Sequence, residues 1–123
     1  TEARRQRAAR YRELLGALPR ERLVLPPGEE PGCVDVHNQF VIRAPGRRDA
    51  LAAHLREQGI GCAIYYPRGL HQQPCFAALD HGPDDFPCTE AACREVLALP
   101  VYPELTDAQQ VRVARVVADF LSG

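Results

Sequence analysis

Residues 33–66, CVDVHNQFVIRAPGRRDALAAHLREQGIGCAIYY, alternate, turn, take up a helical period and then alternate again. In the first part Val34, Val36, Asn38, Phe40 and Ile42 fall on one side. Asp35, His37, Gln39, Val41 and Arg43 fall on the other. That period of two predicts a strand over 33–43. Pro45-Gly46 supplies a turn. Leu51 and Leu55 then set a helical spacing over 47–58, and Gly59 is placed just past its end, where a left-handed residue is wanted. Alternation resumes at 60–66 with Ile60, Cys62, Ile64 and Tyr66 on one face, until Pro67 stops it.

Working outward, residues 1–18 read as a helix. Ala8, Tyr11, Leu15 and Leu18 form its apolar stripe with Leu14 beside them, and Pro19 ends it. Arg4, Arg5, Arg7, Arg10 and Arg12 fill the other face, which reads as a solvated surface in preference to an RNA-binding one. The PPGEEPG run at 26–32 is a loop. Towards the C-terminus, 67–88 is mostly loop with a short helix near 71–79. A helix is expected over 89–97 with Thr89 as its N-cap, and a short strand over 96–100. A last helix opens on a capping box of Thr106 and Gln109 and buries Val113, Val116, Val117 and Phe120.

The order predicts an α+β fold: a small antiparallel or mixed sheet with helices packed on one face. One domain is expected over 1–123, with residues 33–121 as its core. The helix over 1–18 is expected to join this domain to another and to be half covered, its stripe exposed or driving self-association.

Composition narrows the class. A chain of 123 residues, 46% hydrophobic and 25% charged, suits one globular domain and excludes a disordered tail. Fifteen basic against 16 acidic residues exclude a dedicated nucleic-acid binder. All the basic residues are Arg; Lys, Met and Trp are absent. A chain that starts at Thr1 inside a helical pattern and lacks Met is expected to be a piece of a longer protein. No apolar run approaches the ~20 residues of a membrane span. Five cysteines, Cys33, Cys62, Cys75, Cys88 and Cys93, make an odd, irregular set that reads as reduced thiols in a cytoplasmic protein. His37 with Cys33, His71 with Cys75, and Cys88 with Cys93 lack tight paired zinc spacing, so no metal site is expected.

The segment 64–76, IYYPRGLHQQPCF, concentrates two Tyr, a His, an Arg and two Gln at the end of a predicted strand. It reads either as a binding loop held on a rigid support or as a structured loop whose rings fill gaps. Alternation sends Tyr65 and Tyr66 to opposite sides. Tyr66 shares the apolar face of Ile60 and Ile64, which leaves Tyr65 as the candidate contact.

Four ordered stretches carry a resemblance. Tyr65-Tyr66-Pro67, then Leu70-His71 and Gln73-Pro74, resembles the [H/Y]-Y-P-x-P-L-H-x-Q signature of the DegT/DnrJ/EryC1/StrS aminotransferases. Asn38-Gln39-Phe40-Val41-Ile42 is similar to that family's N-Q-[Y/F]-x-I strand. Asp85-Phe86-Pro87 with Glu90-Ala91 resembles its D-F-P-x-[A/T]-E stretch, and Leu97 to Thr106 its L-x-L-P-x-[Y/H]-P-x-L-T stretch. The departures are Gly69 where the family has Pro, and Tyr65 where many members have His.

The resemblance implies the C-terminal small domain of a fold-type I enzyme dependent on pyridoxal phosphate, with the large cofactor domain absent. It implies a homodimer that moves an amino group, usually from glutamate, to a nucleotide-linked keto-sugar in polysaccharide or secondary-metabolite synthesis. Tyr65, His71, Arg68, Asn38 and Gln39 are then substrate contacts. Arg68 either meets an acidic group such as a uronic carboxylate or faces solvent. Without a lysine no catalytic or cofactor-binding residue is expected in this chain, which alone should be inactive. The reading from a different class is a non-catalytic α+β binding or dimerisation module.

Overall fold

The computed structural model describes residues 1–123. Four helices and two strands follow in the order α1 (Glu2–Leu15), β1 (Phe40–Arg43), α2 (Arg48–Glu57), α3 (Pro87–Glu95), β2 (Val96–Leu99) and α4 (Asp107–Ser122). Two 3₁₀ turns, Leu70–Gln72 and Pro74–Leu79, lie between α2 and α3. β1 pairs antiparallel with β2, Phe40 opposite Leu99 and Arg43 opposite Val96. Single bridges extend this ribbon, Val24 joining β1 at Arg43 and Ala63 joining β2 at Ala98. The result is the α+β class, with a small antiparallel sheet.

One core of 19 buried residues draws on α1, β1, α2, β2 and α4. Ala8, Tyr11 and Leu15 of α1 pack inward and α1 lies against α4. The stripe expected to be exposed is therefore covered within the chain, because the last helix folds back onto the first. The Tyr11 ring lies 5.0 Å from that of Phe40, and its hydroxyl donates to the Pro100 carbonyl at 2.7 Å. Gln110, wholly buried on α4, donates its side-chain amide to the Arg7 carbonyl at 2.6 Å, so its polar atoms enter the core with a partner.

Several expectations change. The arginines of α1 are more than a solvated face. Arg12 donates to the carbonyls of Pro26 and Pro27, Arg5 pairs with Glu29, and Arg7 pairs with Asp107 of α4. The strand expected over 33–43 survives only at Phe40–Arg43, and Val34 and Val36 stand 66% and 47% exposed. Alternation makes a residue fit for a sheet, but a ladder needs a neighbouring strand, and none lies beside 33–39.

The strand expected over 60–66 reduces to a single bridge, Ala63 to Ala98 of β2. Ile60, Cys62 and Ile64 do pack on the core, whereas Tyr66, placed in the core by alternation, is 69% exposed. α3 starts at Pro87, two residues before the expected cap at Thr89. Proline suits a first turn, where its missing N–H costs nothing. No helix is long and apolar enough to cross a membrane.

Candidate functional site

The strand register gathers three chain segments at one end of the sheet. Because Phe40 faces Leu99, the residues just before β1 and just after β2 share that end, and the Ala63–Ala98 bridge brings 61–65 alongside. They enclose a cleft of about 280 Å³ lined by Asn38, Gln39, Cys62, Tyr65, Leu99 and Pro100, among others. Asn38, Gln39 and Tyr65 are exposed there. Two carboxamides and a phenol offer donors, acceptors and a ring face to a polyhydroxylated ligand. The Cys62 thiol sits 3.8 Å from the Ala52 carbonyl, and burial pushes its pKa up, opposed by Arg56. A thiol held protonated is a wall of this cleft and no nucleophile.

His71 is not in that cleft. Its side chain is 7% exposed, with Nε2 3.2 Å from Oε1 of Glu90 on α3, itself 11% exposed. Gln72 donates to the same oxygen at 3.2 Å. The Gly69 N–H in turn donates to Oε1 of Gln72 at 2.9 Å. These contacts pin the 69–72 turn to α3 and leave His71 as a brace within it. They also give the departure at Gly69 a local cause. A Cβ there would stand 2.6 Å from Cε1 of His71 and 2.9 Å from Cγ2 of Thr89, and a proline would lose the N–H that Gln72 accepts.

Arg68 is exposed and lines a separate cleft of about 450 Å³ with Tyr66, Gly69, Gln73 and Thr89. The other side of the turn is an apolar hollow of about 410 Å³ bounded by Leu70, His71, Phe76, Leu79, His81 and Phe86. The Phe86 ring stands 4.8 Å from that of His71 and 4.9 Å from that of His81. At its rim the Gly82 N–H and the His81 ring hold the Asp85 carboxyl below its ordinary pKa.

The structure thus unites Asn38, Gln39 and Tyr65, and sets Arg68 and His71 on two other clefts. Sequence reasoning missed Glu90 as the partner of His71. Glu90 was visible in the Asp85–Ala91 stretch, but a pairing across 19 residues leaves no periodic signal. The fit to pyridoxal phosphate can be judged from the residues present. The chain holds no lysine, so its residues do not fit covalent attachment of that cofactor.

The sequence profile described as the DegT/DnrJ/EryC1/StrS aminotransferase family matches residues 1–118. The chain is 45% identical over 120 residues to the pleiotropic regulatory protein of Geobacillus stearothermophilus, covering 98% of this chain and 32% of that one. It is 39% identical over 123 residues to the UDP-N-acetyl-3-dehydro-alpha-D-glucosamine 3-aminotransferase of Acidithiobacillus ferrooxidans, covering 99% and 31%. Its fold superposes on the crystal structure of DesV from S. venezuelae with a TM-score of 0.91 at 31% identity, covering 99% of this chain and 32% of that one. The chain spans about a third of the length of the curated relatives it matches. With the profile matched along nearly its whole length and the sheet-end cleft in place, this chain belongs to the DegT/DnrJ/EryC1/StrS aminotransferase family.

Proposed function

We propose that this chain is the C-terminal lobe of a cytoplasmic, homodimeric sugar aminotransferase. The full-length protein takes an amino group from glutamate and places it on a nucleotide-linked keto-sugar. The observation that carries this reading is the convergence of Asn38, Gln39 and Tyr65 on one cleft, two of them from the N-Q stretch and one from the Tyr-Tyr-Pro stretch. The names of the sugar aminotransferase relatives support the substrate class.

In this reading Asn38 and Gln39 hydrogen-bond sugar hydroxyls, and the Tyr65 ring covers a sugar face. Arg68 meets an anionic group of the substrate. His71 acts through the turn it braces. Pyridoxal phosphate would supply the amine-carrying chemistry from a lysine-bearing large domain outside these 123 residues. The five cysteines, all unpaired, accord with a reducing compartment.

The test is to supply the full-length protein with pyridoxal phosphate, glutamate and a panel of UDP- and dTDP-linked keto-sugars. Amination of at least one sugar is expected, with no turnover by the 123-residue chain alone. Gln39→Ala should lower kcat/KM for the sugar about tenfold, the size expected from losing one or two polar contacts. A full-length protein that aminates none of the panel overturns the reading. The regulatory name of the G. stearothermophilus relative favours a second reading, a non-catalytic binding module. That reading predicts nucleotide-sugar binding without turnover.

A further inference from the structure

Residues 34 and 36 are exposed valines, and the residue that follows them is buried. His37 is 7% exposed and sits at φ 50°, in the left-handed region that non-glycine residues seldom occupy. Such a bend persists only where its surroundings hold it. On one side Oδ1 of Asp35 accepts the His37 N–H at 2.7 Å, and Oδ2 lies 3.4 Å from the ring Nδ1. On the other, Nη1 of Arg4 donates to the Asn38 carbonyl at 3.1 Å and lies 3.5 Å from the His37 carbonyl. The hold extends further: Glu29 accepts the Asp35 N–H at 3.0 Å and pairs with Arg5 at 3.4 Å. Two arginines of α1 thus grip the approach to β1, and Asn38 and Gln39 open into the cleft beside Tyr65 directly after the bend.

We propose that Arg4 is a positioning residue: from α1, the first helix of the core, it holds the carbonyl of Asn38 so that the two carboxamides stay aimed into the cleft. The inference rests on the proposed function for its consequence in catalysis, but not for its geometry. Arg4 itself is no substrate contact; it lies outside the cleft lining and acts through backbone carbonyls. Its effect should fall on sugar binding and leave the chemical step alone.

The test compares Arg4→Ala and Arg4→Lys with the wild type in the full-length protein, by hydrogen exchange and by steady-state kinetics. Arg4→Ala should speed amide exchange at residues 36–39 by about tenfold while the core helices keep their protection. It should raise KM for the keto-sugar nucleotide about three- to tenfold, with kcat within about twofold and KM for glutamate unchanged. Arg4→Lys, which keeps one donor near the Asn38 carbonyl, should recover part of both effects.

Unchanged exchange at 36–39 in Arg4→Ala overturns the inference whatever the kinetics. So does a fall in kcat with a lowered melting temperature, which marks a scaffold role only. A wild-type protein that aminates no keto-sugar removes the proposed function instead, and the exchange comparison still decides whether Arg4 holds the bend.

Discussion

Tyr11 lies at the centre of the core, yet it carries a hydroxyl. The Pro100 carbonyl accepts a hydrogen bond from that hydroxyl at 2.7 Å, which makes the burial tolerable. Burial pushes the phenol pKa above its ordinary value of 10.0, with Tyr102 adding to the rise and Arg7 opposing it. Burial also raises the Cys62 thiol above 9.0. The sign follows from linkage. Above those ordinary values the unfolded chain sheds protons that the folded chain keeps, so stability is complete below about pH 9 and falls as pH rises.

Tyr11→Phe should lower stability at pH 8 by about 1 kcal/mol, the net worth of one hydrogen bond. It should also flatten the loss of stability above pH 10. Urea midpoints at pH 8 and pH 10.5 check both, and parallel pH dependence in the two proteins would remove Tyr11 as the cause. At this scale helical spacing placed Tyr11 on the apolar stripe of its helix, and only the fold shows that stripe buried within the chain. Spacing misled for Tyr66, because alternation predicts a face only while a strand continues.

Secondary-structure ends divide into those closed locally and those closed by distant residues. α2 closes locally. Gly59 at φ 74° lets its own N–H reach the Arg56 carbonyl at 3.0 Å, and the Ile60 N–H reach the Leu55 carbonyl at 2.9 Å. Both bonds satisfy carbonyls that a helix end leaves open. Gly59→Ala should therefore cost about 1 kcal/mol, since a Cβ disfavours that φ though space is free around it. A thermal melt showing no loss would mean that the turn relaxes without strain. The α4 start is equally local: the Thr106 hydroxyl accepts the Gln109 N–H at 3.2 Å, and the Gln109 side chain returns to the Thr106 N–H at 2.9 Å. Such caps are legible because all their parts lie within a few residues. The expected strand failed over 33–39 because a ladder needs a neighbour, and whether the fold brings one alongside is not written in local spacing.

At the scale of the molecule, the first and last helices meet and close the core. Leu15 is 1% exposed and shares its cluster with Val113, Val117 and Leu121 of α4. Leu15→Ala should therefore cost about 2–5 kcal/mol in the 123-residue chain, a large part of a small domain's stability. Had α1 been only a connector docked on another domain, the same substitution would leave the denaturation midpoint of this chain almost unmoved. Chemical denaturation distinguishes the two. The same closure pairs Arg7 with Asp107 of α4, while Arg4 reaches from α1 to the bend before β1, so a helix that reads as generic surface braces the rest of the chain.

The amino-acid order alone determined where the four helices lie, the closures at Gly59 and Thr106, the α+β class and the family stretches, because those signals lie in short-range spacing and local hydrogen bonding. It also determined that no amine for a covalent cofactor lies in these residues. Tertiary structure decided which alternating residues form strands, and it decided that the site candidates divide among three clefts. It seated His71 against Glu90 and Arg4 against Asn38. Those contacts join residues 19 and 34 positions apart, and only the packed core brings such partners within hydrogen-bonding reach.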